Sequence, residues 1–253
     1  MSNNYGFMQQ VGIILGRTGL QVKSVIGSAA QNKASTITEI LAEGPLELRE
    51  ESLRLVQRLF LTSEQTPPKA VMFAAIDSRN GCSRMCALTS QLLAESVSGS
   101  VCLVEANFRT PSLPGLFGGT NHYGLADALR QEGAIRDFAK RTDRDNLWLL
   151  SCGRHGDDYL NLLSCDRMKG RMLELRAEFS FVLIDAPPLN AYGDALLLGR
   201  LVDGVVLVLE ANATRREVAL RIAENLRAAK IQVLAAVLNK RTFPIPLALY
   251  KRL

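Results

Sequence analysis

The sequence predicts an α/β protein: a doubly wound, mainly parallel sheet with helices on both faces. Two observations predict it. Apolar runs rich in Val, Leu and Ile recur at 70–76, 100–106, 147–151, 180–185, 204–210 and 232–238. None alternates with polar residues, as strands buried on both faces require. Helical patterns lie between these runs, and strand alternating with helix implies parallel crossovers, right-handed by default. With 47% hydrophobic and 22% charged residues over 253 positions, the chain has the composition of an ordinary globular protein. At this length it builds a core without metal or disulfide staples.

The elements follow in order. Residues 1–40 are rich in Gly, Ser, Asn and Gln and hold no period, which reads as a flexible leader. A second reading makes 8–26, with Met8, Val11, Ile14, Leu15, Leu20 and Val22, a helix for a membrane or partner surface. Order begins near Leu46. Leu53, Val56 and Phe60 keep a one-faced helical spacing until Pro67 and Pro68 end it. Later helices are marked by Met85, Leu88 and Leu92, by Met172 and Leu175, and by Val218, Ile222 and Leu226. No linker or repeat interrupts the chain, so one domain is expected over 41–245, with a short basic tail at 246–253. That terminus reads as frayed, or, in the sharper reading, as a peripheral membrane contact.

Composition excludes several chemistries. Five cysteines (Cys82, Cys86, Cys102, Cys152, Cys165) show no C-x-x-C spacing, which argues against a disulfide framework and for a reducing compartment. His122 and His155 are the only histidines and stand apart from other metal-ligand types, against a zinc site or a His-based triad. No run approaches a membrane-spanning length, and the start lacks a basic signal-peptide region. The expected location is the cytoplasm. The net charge of +5 is spread along the chain with no basic, aromatic-interleaved stripe, so nucleic acid is not an expected partner.

Ligands in open α/β sheets bind beyond the carboxyl ends of the strands, so the turns there are the candidate site. The first runs from Ala75 to Arg84, between a buried strand and an amphipathic helix. That is the setting of a loop that cradles phosphate with backbone N–H groups and a helix N-terminus. Against the pattern G-x-x-x-x-G-K-[ST], Gly81 and Ser83 match, Ile76 replaces the first Gly, and Cys82 replaces the Lys. Arg79 and Arg84 flank the loop and offer positive charge, while Asp77 places a carboxylate where phosphates would sit. Cys82 at a helix N-terminus reads as a small filler, or as a thiol of lowered pKa. The second strand ends in Glu105, Asn107 and Arg109. The fourth ends in Asp185, which reads as a loop cap or as a ligand to a Mg²⁺ water. The last ends in Asn239, which reads as a base contact or an Asx turn.

These turns, in this order, resemble the cytoplasmic domain of bacterial tyrosine autokinases of capsule and exopolysaccharide synthesis, a branch of the phosphate-loop ATPases that includes the Min and Par proteins. The resemblance spans about residues 46–242. It rests on Arg109 to Gly118 (R-x-P-x-L-x-x-L-F-G), Gly124 to Ala128, Leu162 to Met168, Asp185 to Pro188, Asp194 to Leu198 and Asp203 to Val206. Glu51 and Arg54 match the first half of the family's E-x-x-R-x-x-R ring-forming motif, with Gln57 in place of its last Arg. The resemblance implies a P-loop NTPase-like fold, Mg-ATP as cofactor, Ser83 and Asp185 as metal ligands, and Gly81, Cys82, Ser83, Arg84, Glu105, Asn107, Arg109 and Asn239 around nucleotide. It also implies homo-oligomerisation through Glu51 and Arg54, and docking on a membrane-spanning chain-length regulator at the inner face of the plasma membrane.

Departures fall where the chemistry lies. The loop Lys is Cys82, the D-x-D carboxylates are Glu105 and Asn107, and Tyr250 alone stands near the end where the family carries a tyrosine cluster. A loop Lys neutralises β- and γ-phosphate charge, and one such donor is worth about 10²–10³ in rate. Asn107 offers no carboxylate to a metal or a tyrosine hydroxyl. The expectation is a catalytically degenerate homologue, an adaptor or regulatory subunit in exopolysaccharide synthesis and export, with no confident cofactor. The alternatives are a weak Mg-ATP-binding kinase or nucleotide switch in the same pathway and, less favoured, a partition-type ATPase on DNA.

Overall fold

The structure is a computed structural model that describes residues 13–15, 46–62, 66–154, 156 and 159–240. Apart from 13–15, the leader expected over 1–40 lies outside the described residues, as do 41–45, the expected tail and Tyr250. Eight strands form one sheet: β1 (Ile13–Leu15), β2 (Ala70–Ala75), β3 (Val101–Glu105), β4 (Lys140–Arg141), β5 (Leu147–Leu150), β6 (Phe181–Ala186), β7 (Gly204–Glu210) and β8 (Val233–Asn239). Their spatial order is β1-β8-β7-β2-β6-β3-β5-β4. Every pairing is parallel except β4 with β5.

The unbroken apolar runs have a simple cause. Side chains alternate between the faces of a strand, and both faces are covered. Along β2, Ala70, Met72 and Ala74 enter one core while Val71, Phe73 and Ala75 enter the other. The first core is roofed by α6 (Asp166–Glu178), α7 (Asp194–Gly199) and α8 (Arg216–Ala228), through Met172, Leu175, Leu198, Ile222 and Leu226. The second is roofed by α1 (Leu46–Val56) and α2 (Cys82–Ser96), through Leu55, Val56, Leu88, Leu92 and Leu93. A π-helical turn, Gln57–Leu61, continues α1 and seats Phe60 edge-on against Phe181, with centroids 5.5 Å apart. Short helices α3 (Leu113–Leu116), α4 (Leu125–Arg130) and α5 (Tyr159–Ser164) and a 3₁₀ turn, Ile135–Phe138, complete the described chain.

All six expected strands form. Two further strands were not expected. β1 falls inside the expected leader, where its Ile-Ile-Leu backbone runs beside Ala236–Leu238; β-branched residues suit an added edge strand. β4 is two exposed residues paired antiparallel at the opposite edge, too short to show a period.

Arg171, a charged residue in a helix read only for its apolar stripe, is 3% exposed. Its guanidinium donates to the carbonyls of Ala128 (2.8 Å), Gly133 (2.7 Å) and Gln131 (2.7 Å). It thereby satisfies groups that the end of α4 leaves unpaired. Arg171→Met should cost about 2–4 kcal/mol and lower Tm by roughly 5–15 °C in thermal unfolding. Arg171→Lys should recover only part of this loss, because a compact ammonium does not fork across three carbonyls.

Candidate functional site

β2 lies between β6 and β7 at the centre of the sheet, and the chain leaves its carboxyl end into the turn 76–81. β7 and the loop after β6 fix the base of that turn: Ile76 N donates to Val208 O (3.3 Å), Leu189 N to Ala75 O (2.9 Å), and Asn190 N to Ile76 O (3.0 Å). Two residues from the end of β8 hold its crown. Asn239 Nδ2 donates to Asn80 O (2.8 Å), and Lys240 Nζ donates to Arg79 O (2.7 Å) while pairing with Glu210 Oε2 (3.2 Å). The Lys240 bond steadies a carbonyl whose residue, Arg79, has a φ of 66°, a conformation uncommon outside glycine. Gly81 has φ 82°, and a Cβ there would lie 2.5 Å from Asn239 Nδ2. Glycine is therefore required both for the backbone and for the approach of Asn239. The turn hands over to α2, a helix of 15 residues whose first N–H groups face the site.

Cys82, where the pattern calls for Lys, is 8% exposed. Burial pushes its thiol up, and the adjacent Asp185 and Cys86 push it further, so no reactive thiolate forms here. Asp185 is fully buried, and neither carboxylate oxygen has a hydrogen-bond partner. Burial raises its pKa to about 7. Glu105 adds to the rise, while the nearby Ser83 hydroxyl and Cys82 thiol oppose it without closing a well-formed bond. Ser83 is half-buried beside Asp185, and Arg84 is exposed on the first turn of α2.

Glu105 and Asp185 are register partners on adjacent strands, so both point to the α2 face. Glu105 is committed elsewhere. Its Oε1 accepts the N–H groups of Ser112 (2.5 Å) and Leu113 (2.7 Å), and its Oε2 accepts that of Cys152 (3.4 Å). Burial raises its pKa, and those N–H groups pull it back. Asn107 closes its own turn, donating to Thr110 Oγ1 (3.0 Å) and accepting from Thr110 N (3.3 Å). Arg109 turns to Asp194, with Nε to Oδ2 at 2.9 Å, and stacks over Tyr192 at 3.6 Å; the Asp194 hydrogen bond raises its pKa.

The structure thus gathers Gly81, Cys82, Ser83, Asp185 and Asn239 around the turn. It engages Glu105, Asn107 and Arg109 in other contacts. Arg54 is exposed on α1, while the side chain of Glu51 lies outside the described residues. Sequence reasoning missed Lys240, although its place directly after Asn239 at a strand end was the available signal. It also missed the Arg109–Asp194–Tyr192 group, whose members are remote in sequence.

Asp185 supplies a pH test. Its folded pKa exceeds the unfolded value, so its protonated form favours the fold below about pH 4. That contribution drains away as pH rises to about 7, for a total of at most about 4 kcal/mol. Asp185→Asn is neutral throughout. It should be more stable than the parent at pH 8, with the gap closing toward pH 4. Denaturant titrations across this range check it, and a pH-independent gap refutes it.

No protein-family model matches the chain. The tyrosine-protein kinase YwqD of Bacillus subtilis strain 168 is 28% identical over 214 residues, 84% of this chain and 88% of that protein. The tyrosine-protein kinase Etk of Escherichia coli K12 is 22% identical over 225 residues, which span 31% of Etk. Among solved structures, the kinase domain of E. coli Etk superposes with a TM-score of 0.79 at 17% identity, covering 95% of each chain. The septum site-determining protein MinD of Pyrococcus horikoshii, complexed with Mg-ADP, gives 0.58 at 16% identity over 73% of this chain and 76% of its own. At such identities the structural likeness speaks to the fold alone. The fold is that of the P-loop ATPases, and the relatives of this chain by sequence are bacterial tyrosine-protein kinases.

Proposed function

We propose that this chain is a catalytically degenerate homologue of the tyrosine autokinases. In this reading it acts as an adaptor or regulatory subunit in exopolysaccharide synthesis and export, held at the inner face of the plasma membrane by a membrane-spanning co-polymerase. The observation that carries the reading is the buried Cys82 set against a buried Asp185 whose oxygens have no hydrogen-bond partner and which makes no ion pair among the described residues. A polyphosphate brought to this turn would add negative charge beside Asp185 and Asp77 with no loop ammonium to balance it. Removing one partner of a desolvated charge pair costs about 2–5 kcal/mol.

A metal ion and a nucleotide fit the site unequally. Ser83 and the unpartnered oxygens of Asp185 are suitable groups for a Mg²⁺ and its waters. Phosphate charge is met less well, because Cys82 is neutral and the Lys240 ammonium already bridges Arg79 O and Glu210, which leaves only the exposed Arg79 and Arg84 guanidinium groups at the rim among the described residues. Glu105 has its carboxylate bound to three N–H groups. The Ser83 and Asp185 pair, with the left-handed turn at Gly81, favours one second reading, a weak nucleotide switch without phosphotransfer.

The scaffold supports an adaptor role. Both cores are intact, and α1, which carries Glu51 and Arg54, packs on α2 through Leu55 and Val56. In this reading α1 offers a self-association surface that does not depend on the 76–81 turn.

Thermal unfolding with millimolar ATP and Mg²⁺ tests the reading. A ligand at 100 times its Kd adds about 2.7 kcal/mol, a rise of roughly 5–10 °C for a domain of this size. The expected outcome is no such rise, and a saturable one would support the switch. Cys82→Lys alone should not give tyrosine phosphorylation of an added tyrosine-containing polymer, because Glu105 stays bound at α3 and Asn107 offers no carboxylate. Phosphotyrosine formed by that single variant would overturn the proposal.

A further inference from the structure

A cavity lies away from the 76–81 turn, at the β4 and β5 edge of the sheet. It has a volume of about 790 Å³, within the range of roughly 300–1,000 Å³ typical of small-molecule sites. Phe117, Tyr123 and Phe138 give it an aromatic wall, in which Tyr123 and Phe138 stack at 5.1 Å with an interplanar angle of 18°. Tyr123 is 48% exposed, so one ring of that stack is open to a ligand. Gln91 reaches the cavity from the middle of α2. It is 5% exposed, and its carboxamide oxygen has no hydrogen-bond partner. A buried unpaired acceptor is costly. The terminal amide torsion is soft, so a small rotation turns that oxygen to a donor in the cavity.

Charge selects the ligand class. The lining holds Lys140, Arg141 and Arg144 against Asp137, Asp143 and Asp145. Arg141 is paired with Asp145, and Arg144 with Glu95 at 3.0 Å. What remains is one lysine beside two carboxylates, which disfavours a phosphorylated ligand. The charged rim equally disfavours a lipid chain. A ligand suited to this cavity is neutral, carries hydroxyl donors for Gln91 and the rim carboxylates, and has an apolar face to lie on an aromatic ring. We propose that the cavity is a binding site for a neutral oligosaccharide. The proposal does not depend on the reading of the phosphate-loop turn, and the two fail separately.

Saturation-transfer NMR on the full chain tests it, with neutral trisaccharides of glucose, galactose, mannose and N-acetylglucosamine as probes and ATP and UDP as anionic controls. At least one trisaccharide should receive saturation from the protein. Tyr123→Ala, at an exposed position, should weaken that binding about tenfold, the worth of a good aromatic contact. Gln91→Leu should weaken it as well; if that variant does not fold, Tyr123→Ala carries the test alone. Transfer to no trisaccharide overturns the proposal, as does binding that Tyr123→Ala leaves unchanged. A Tyr123-dependent preference for ATP or UDP, or for a tyrosine-containing peptide, overturns it too. Nucleotide binding that Tyr123→Ala leaves intact would instead bear on the loop.

Discussion

A carboxylate sealed from water, with no cation paired to it among the described residues, sets the terms for everything around the 76–81 turn. Asp185 sits at the end of a central strand, on the face that α2 covers, with both oxygens unpartnered. At neutral pH such a group lies close to its own pKa, poised between a buried charge and a buried acid. Whatever stands over it must be small and uncharged, or else cationic. Cys82 meets the first condition, because a buried thiol holds its proton and adds no repulsion. The ammonium of Lys240 crowns the turn from the end of β8, on Arg79 O and Glu210. Its charge is used on these two groups, while the Arg79 and Arg84 side chains lie exposed at the rim.

The second strand end shows what the reach of a Glu side chain does. A carboxylate on β3 at position 105 faces the same side of the sheet as Asp185. Both could not stay ionised and unpartnered there, because two like charges in a dry site repel. The longer Glu105 side chain reaches the N–H groups of Ser112 and Leu113 at the start of α3, and that of Cys152 after β5. It thus ties the loops after β3 and β5 together. The contact stabilises the fold and takes the carboxylate out of metal chemistry. Asn107 and Arg109 follow the same course, each settled by near neighbours or by Asp194. Whatever the activity, these residues now serve the shape of the loops.

Much of this was legible in the sequence, and the limits have physical causes. A strand buried on both faces must be apolar throughout, so β2, β3, β5, β6, β7 and β8 announce themselves. β1 and β4 have three and two residues, and no period is visible at that length. The turn at Gly81 was legible because glycine before an amphipathic helix has few other uses. Gln91 and Arg171 were not, since a polar residue within a helical pattern reads as solvent-facing. Only the packing of other elements shows that both are buried. Pairings such as Arg109 with Asp194 join residues 85 apart in sequence, and no local pattern encodes them.

One element links the two regions of interest. α2 begins at the phosphate-loop turn with Cys82 and carries Gln91 nine residues later, about 14 Å along its axis. Its apolar side chains enter the core beneath it. A helix so thoroughly packed is constrained at each end by the same interior, and sliding it to reshape the turn would displace the wall of the cavity as well. A neutral side chain at Cys82 fits the packing of α2, whose buried apolar residues lie further along the helix. A bulky change at Leu88 or Leu92 would be felt at both ends. The packing of α2 and the character of its first residue are therefore set separately: the side chains that hold the helix in place lie beyond Cys82.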